Sequence, residues 1–387
     1  MILYIFLIFL CFFLHGRYVT KQKDDGICKI SLLYIAIFLC CGFMCGSDWR
    51  SYETLYYEMS LRNPFEDLLM EPGLFVLMYP FRLLGINYWI FSIAIKLVCF
   101  AIFYKFIFKY AGRYKYLALM FFISFYGIYL LVDAPMRNLC AIAICLVGFS
   151  RMQKNRLQAL VLLILAVFFH STALLMVLVY FIINKKIKSS IYVALYSLLI
   201  VISFGFGSYM ENLVNTPLGA FLADNSTQFD TYYVKGYNQA ALSSSPLALG
   251  ELLKLIFFCW IIYKRKSIEN YEYGNFIFNG AMLFFLIAKL GAMSNVFVRF
   301  GCYLSPFYAI ALCLVTVGVS LKFKKIYQYA VFLVAFLLCY TSVTADYRYV
   351  PYTNYITYSL THNDIPSYSV RSDYNHVNSP YRNKQLK

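Results

Sequence analysis

Charge is the scarcest resource in this sequence. Only 13% of its residues are Asp, Glu, Lys or Arg, against about 25% in an ordinary soluble domain. Acidic groups are the rarer kind, with 18 Asp and Glu against 34 Lys and Arg. Strict alternation of apolar and polar residues is missing too, which excludes a transmembrane β-barrel. There is no P-loop, no Gly-rich dinucleotide turn and no nucleophile elbow. No Asp-X-Asp pair is present to hold a divalent metal for a nucleotide-sugar donor. Cysteine is plentiful at 12 residues, but it lacks a pattern. No Cys-X-X-Cys pair or Cys/His zinc spacing occurs, and the polar stretches Ser208–Pro246 and Ala345–Lys387 contain no cysteine. A disulfide framework and a zinc site are therefore excluded, and the thiols read as small buried packing groups.

What the chain does have is long apolar runs, with 61% of its residues hydrophobic. Ile30–Gly46, Leu117–Val132, Leu157–Ile183, Ile191–Gly207 and Gly301–Val319 are examples. A bilayer crossing takes about 20 mostly apolar residues, and backbone groups in hydrocarbon must pair within the segment, so these runs are helices. The expected fold is an all-α polytopic integral membrane protein of roughly 10–13 helices, some short or broken. Met1–Leu14 lacks a basic leader and a cleavage site, and reads as a retained first helix.

The net charge of +16 would suggest nucleic acid in a soluble protein. Here the basic residues fall in short loops between apolar runs and form no continuous patch, so the positive-inside rule accounts for them. Six clusters are placed in the cytoplasm: Arg17–Lys29, Lys105–Lys115, Arg151–Arg156, Lys185–Lys188, Lys264–Lys266 and Lys322–Lys325. The outer side then receives the net-acidic loop 47–71, the loop 208–246 and both termini. We read residues 1–346 as one transmembrane domain and 347–387 as a polar tail packed on the outer membrane face or partly disordered. Charge parity adds two expectations. Pro72–Leu84 is a short, non-spanning outer helix. Leu157–Ile183 lies between two cytoplasmic clusters and so is two half-length helices meeting near His170, an arrangement tolerated where it lines protein or water; a single span with inverted charge bias is the alternative.

Four groups of residues offer chemistry. Asp133-Ala134-Pro135-Met136-Arg137 joins an outward run to a return run; Pro135 suits a first helical turn. Arg137 beside free backbone N–H groups is a sensible phosphate or pyrophosphate site; an Asp133–Arg137 pair that merely caps the helix is the alternative. His170 sits inside an apolar run and offers proton transfer or anion binding, or else is a satisfied core histidine. Arg299 is a second anion contact or a snorkelling anchor. The outer loop carries Asp48, Trp49 and Tyr52, followed by Glu71-Pro72-Gly73, and carboxylates beside aromatic rings suit a sugar; interfacial aromatics in a solvated loop are the alternative.

Taken in order, Ser47-Asp48-Trp49-Arg50-Ser51-Tyr52, Glu71-Pro72-Gly73, Met136-Arg137-Asn138, Phe169-His170-Ser171-Thr172-Ala173-Leu174, Arg299 and Val350-Pro351-Tyr352 resemble the EpsG family of Wzy-type polysaccharide polymerases. The resemblance covers nearly the whole chain. It departs mildly at Arg137-Asn138, where members often carry Arg-Gln. It implies a membrane-embedded architecture like that of the GT-C glycosyltransferases. The implied reaction joins undecaprenyl-pyrophosphate-linked oligosaccharide units on the periplasmic face of a bacterial inner membrane, with no cofactor and no metal, and leaves room for a chain-length regulator as a partner. Arg137 and Arg299 would then face the leaving pyrophosphate, with His170 as the base and Asp133 or Asp48 as alternates. Asp48, Trp49, Tyr52, Glu71 and Arg299 would bind substrate. The main rival is a flippase for the same lipid-linked units, which tends to show two matched halves; none is visible here. A membrane acyltransferase and a scaffold are weaker rivals.

Overall fold

The structure is a computed structural model that describes residues 1–21, 23–62, 71–214, 216–217, 249–291, 295–315 and 324–381. Its described residues are helical apart from short turns and one antiparallel ribbon, in which Gly42–Phe43 (β1) pairs with Thr353–Asn354 (β2). Among the described residues, five stretches are long and apolar enough to cross a membrane: Ile2–Lys21, Tyr88–Gly127, Gly274–Gly291, Phe297–Val315 and Gln328–Ala345. Shorter apolar helices accompany them, including Gly26–Cys40, Gly73–Leu83 and Arg156–Val167. The protein is an all-α polytopic membrane protein. Two compact units make it up, residues 1–177 with 319–387, and residues 178–318.

The first unit begins with α1 (Ile2–Lys21) and α2 (Gly26–Cys40). Asp25 starts α2 by accepting the Cys28 N–H, and its other oxygen binds Arg17 and Lys21. Next come α3 (Trp49–Glu58) and α4 (Gly73–Leu83). At 11 residues α4 is about 16 Å long, well short of a crossing, as charge parity requires. Then α5 (Tyr88–Ala111) turns at Gly112 into α6 (Lys115–Phe122). Gly112 has φ +52°, which an L side chain rarely adopts. Phe103 stacks on Phe122 at 5.1 Å and Phe108 meets Tyr116 at 5.1 Å. These pairs lie on either side of the turn, so the 40-residue apolar stretch Tyr88–Gly127 is a hairpin.

Two π-helical turns carry the chain to Asp133, and α7 (Met136–Arg151) follows. The next run is broken, as its flanking charges require. It consists of α8 (Arg156–Val167), an extended His170 at φ −158°, ψ 124°, one 3₁₀ turn, and α9 (Leu174–Ile182). Late in the chain, α15 (Lys324–Ala345) packs along α1, with Phe12 and Phe332 at 4.9 Å.

The tail does not trail away. After β2 it forms α16 (Tyr355–Thr361) and α17 (Tyr368–Asn378), folded onto α3. Arg371 donates to Glu53 at 2.6 Å in a buried pair, and Arg50 donates to the Ser372 carbonyl at 2.5 Å. The Arg348 carbonyl accepts the Gly46 N–H at 2.9 Å, so the tail also holds the chain just before α3.

The second unit contains α10 (Ser189–Val214), α11 (Leu249–Tyr263), α12 (Arg265–Glu269), α13 (Gly274–Gly291) and α14 (Asn295–Val315). Gly280 lets α13 and α14 approach, because a Cβ there would strike the Phe307 ring. Buried Asn279 accepts from Tyr192 at 3.0 Å and donates to the Ile183 carbonyl at 2.8 Å, a polar pin inside an apolar bundle. Of the loop expected over 208–246, only its first residues and 216–217 are described, the former as the end of α10; the rest lies outside the described residues, as do Glu66 and Asp67 of the loop 47–71.

Candidate functional site

The break between α8 and α9 creates a backbone problem and Glu71-Pro72-Gly73 solves it. Breaking a helix at membrane depth frees carbonyls on one side and N–H groups on the other, and each needs a partner. Gly73 donates its N–H to the Phe168 carbonyl at 3.0 Å. Glu71 accepts the Ser171 N–H at 2.8 Å. A side chain at position 73 would not fit, since a Cβ there would lie 2.7 Å from the Phe169 ring and 2.8 Å from the Phe168 carbonyl. The motif is thus a plug that docks α4 against the break.

Glu71 does more than patch the backbone. Its Oε2 accepts from Arg137 Nη1 at 2.6 Å, and its Oε1 meets His170 Nδ1 at 3.1 Å. Burial opposes ionisation of this carboxyl, but the hydrogen bonds from His170 and the Ser171 N–H, with the Arg137 charge, hold it well below the ordinary carboxylate range. An ionised Glu71 directs the His170 proton to Nδ1 and leaves Nε2 as the basic nitrogen. His170 is 7% exposed.

Arg137 occupies the first turn of α7, and the Tyr52 hydroxyl from α3 also bonds it. Burial raises the Tyr52 phenol above its ordinary value, with the Arg137 charge opposing. Arg137 Nε is buried and unpaired among the described residues, and so are both polar atoms of the Asn138 side chain, which is 2% exposed.

Asp133 forms a second carboxylate centre. Its Oδ1 accepts the N–H groups of Ser47 and Asp48, the latter at 3.2 Å, and the Ser47 hydroxyl at 3.1 Å. Gly46 at φ +80° fits here because a Cβ would land on Asp133. Burial pushes the Asp133 carboxyl up to about 6, the Asp48 charge adds to the rise, and the Ser47 N–H opposes it. The Asp48 charge also acts on Tyr52, so one electrostatic chain runs from Asp133 through Asp48, Tyr52, Arg137 and Glu71 to His170.

Most residues selected from the sequence therefore meet in the first unit, with different roles. Asp133 does not cap α7 through Arg137; Arg137 goes to Glu71. Trp49 is a packing residue here, 3% exposed, with Arg50 4.9 Å over its ring and Trp89 5.3 Å away. Arg299 lies in α14 of the second unit, exposed. The sequence motifs contain Ser47, Gly73 and Ser171 without giving them a role of their own, and sequence reasoning passed over Gly46 and the tail arginines Arg348 and Arg371. Glycines abutting the acidic motifs were the available signal for Gly46 and Gly73; nothing local marks the tail.

A family model described as the EpsG family matches residues 26–356, most of the chain. Neither the curated proteins nor the solved structures yield a match. The matched span contains every residue of the Glu71–Arg137–His170 centre. The EpsG family is associated with Wzy-like polymerases of polysaccharide synthesis, and this chain belongs to it.

Proposed function

We propose that this protein polymerises lipid-linked oligosaccharide units on the periplasmic face of a bacterial inner membrane, transferring a growing glycan from undecaprenyl pyrophosphate to a hydroxyl of an acceptor unit on the same carrier. The observation that carries this reading is the Arg137–Glu71–His170 centre. Glu71 orients both a cation and a proton acceptor in one partly buried site that opens a helix.

In the transfer, the bond between the donor's anomeric carbon and the pyrophosphate oxygen breaks, and its electron pair leaves with the pyrophosphate. The acceptor oxygen forms the new bond and gives up its proton. Charge growing on the leaving group is stabilised by fixed donors that need no reorganisation. Arg137, with an unpaired Nε–H, and the first N–H groups of α7 provide such donors. His170 Nε2 receives the acceptor proton, and Glu71 stabilises the resulting imidazolium, the orienting logic of a carboxylate–histidine pair. Asp133, whose carboxyl is pushed up to about 6 by burial, is the alternate base. Asp48 and Tyr52 shape the acceptor side. Arg299 is not used in this scheme.

The test is polymer length in cells whose own copy is replaced by a variant, with membrane insertion checked by fractionation. Arg137→Ala inserts but makes no long polysaccharide, and Arg137→Lys restores little, because a point charge does not reproduce the planar fork. Long polymer from Arg137→Ala would end this assignment. Chain extension by the detergent-solubilised protein separates an enzyme from a flippase, which has no compartments to connect once the bilayer is gone.

A further inference from the structure

A cavity of about 750 Å³ lies in the first unit, apart from the centre just described. This is within the roughly 300–1,000 Å³ of pockets that hold small ligands. One wall is Leu3 of α1 with Tyr34 and Ile37 of α2; the facing wall is Ile356 and Thr357 of α16 with Val370 of α17. Its described lining includes no lysine, arginine, aspartate or glutamate.

Two observations identify the occupant. First, the helical wall is continuous with lipid-facing surface. Ile2, Phe6, Ile30 and Leu33 of the same two helices are all exposed, Ile2 by 82%, and in an apolar span such side chains meet hydrocarbon. Second, the tail helices expose large apolar side chains among their polar ones. Leu360 is 82% and Val377 68% exposed, with Ile356 and Val370 also uncovered, as on elements that lie in a membrane interface. Hydrocarbon therefore reaches the cavity over Leu3 and Tyr34 without crossing a polar barrier. Inside, the lining accepts a chain on its apolar side chains, and its polar groups, Asn354, His362 and the threonine and tyrosine hydroxyls, come without a lysine or arginine to hold a phosphate.

We propose that this cavity binds one acyl chain of a bilayer phospholipid, and that the bound lipid seats α16 and α17 on the membrane. A phospholipid suits the site better than a polyprenyl pyrophosphate. Its phosphate is separated from its chains by glycerol esters, so the charge stays outside while the Thr357 hydroxyl at the rim donates to an ester carbonyl. A polyprenyl pyrophosphate carries its charge directly on the chain and needs cations at the mouth. The proposal does not depend on the polymerase reading.

The experiment uses the full chain in nanodiscs of phosphatidylethanolamine and phosphatidylglycerol that carry a photoactivatable diazirine in one acyl chain, with crosslinked peptides mapped by mass spectrometry. The expected result is labelling of the peptides around Tyr34 and Ile356. Ile37→Trp and Thr357→Trp, which fill the cavity from opposite walls, each lower that labelling several-fold while labelling of the outer faces of α1 and α5 persists. Two walls keep the test decisive if one variant fails to fold. Labelling confined to the outer faces overturns the proposal. So does a diazirine-bearing polyprenyl phosphate that displaces the phospholipid from these peptides.

Discussion

Replacing Glu71 by Gln tests the central arrangement most directly. The carboxylate has two oxygens with separate duties, Oε2 to Arg137 at 2.6 Å and Oε1 to the Ser171 N–H at 2.8 Å and His170 at 3.1 Å. An amide has only one acceptor. If its oxygen stays with Ser171 and His170, its NH₂ faces the Arg137 guanidinium, and a charge-assisted hydrogen bond worth about 1.5–3 kcal/mol is lost. If it flips, the Ser171 N–H confronts another donor and is left unpaired, at a cost of about 1–3 kcal/mol. The side chains of Arg137 and Glu71 are 23% and 21% exposed, so solvent softens the loss and we expect about 1.5–2 kcal/mol. The assay is denaturation in detergent for wild type, Glu71→Gln, Arg137→Met and the double variant. Because the two residues touch, the cycle is expected to give a coupling of about 1–2 kcal/mol. Additive losses would show that Glu71 does not hold Arg137 and would refute the reasoning. Polymer length is expected to fall with Glu71→Gln, since small displacements of a positioned group cost rate steeply, on the order of 100-fold per ångström.

Gly73→Ala places a Cβ 2.7 Å from the Phe169 ring and is expected to lower stability by about 1–3 kcal/mol through overpacking; an unchanged denaturation midpoint would mean that α4 does not plug the break. Asp133 has its carboxyl raised to about 6 from an ordinary 3.8. It adds stability that is present below about pH 4 and lost as pH rises through about 6, about 3 kcal/mol in all. Asp133→Asn keeps an acceptor for Ser47 and Asp48, so its unfolding profile is expected to flatten between those limits; a variant with the wild-type slope contradicts this. Arg371→Met strands Glu53, a buried carboxylate, at a cost of about 3–5 kcal/mol. The tail helices should then become protease-sensitive, and adding Glu53→Gln should recover part of the loss. Cleavage rates equal to wild type would show that this pair does not hold the tail.

Much of the architecture was legible because its causes are local. Long runs of apolar residues demand helices in hydrocarbon whatever the rest of the chain does. The break at His170 followed from charge parity, since basic clusters on both flanks of Leu157–Ile183 cannot be served by one crossing. Pro135 stands where a helix start needs it. The basic cluster Lys105–Lys115 already divides Tyr88–Gly127 in the sequence; that the chain reverses at Gly112, with positive φ, was seen only in the structure.

By itself, the sequence determined that this protein lives in a membrane and that its helices are unequal, and it offered Asp48, Trp49, Tyr52, Glu71, Asp133, Arg137, His170 and Arg299 as the residues with chemistry. Hydropathy and charge are properties of neighbours along the chain, so they survive without a fold. Which of those residues meet was decided only in three dimensions. Asp133 stands four positions before Arg137, an ordinary spacing for a helix-end pair, yet Arg137 binds Glu71 across 66 residues and Glu71 binds His170 across 99. The reason is that the break in one helix exposes a backbone N–H that the inserted Glu71 carboxylate satisfies, and the same carboxylate, once placed, pairs with Arg137 through its other oxygen. The tail followed the same rule, since Arg371 reaches Glu53 across 318 residues; ion pairs are chosen by what folding brings within reach and shields from water.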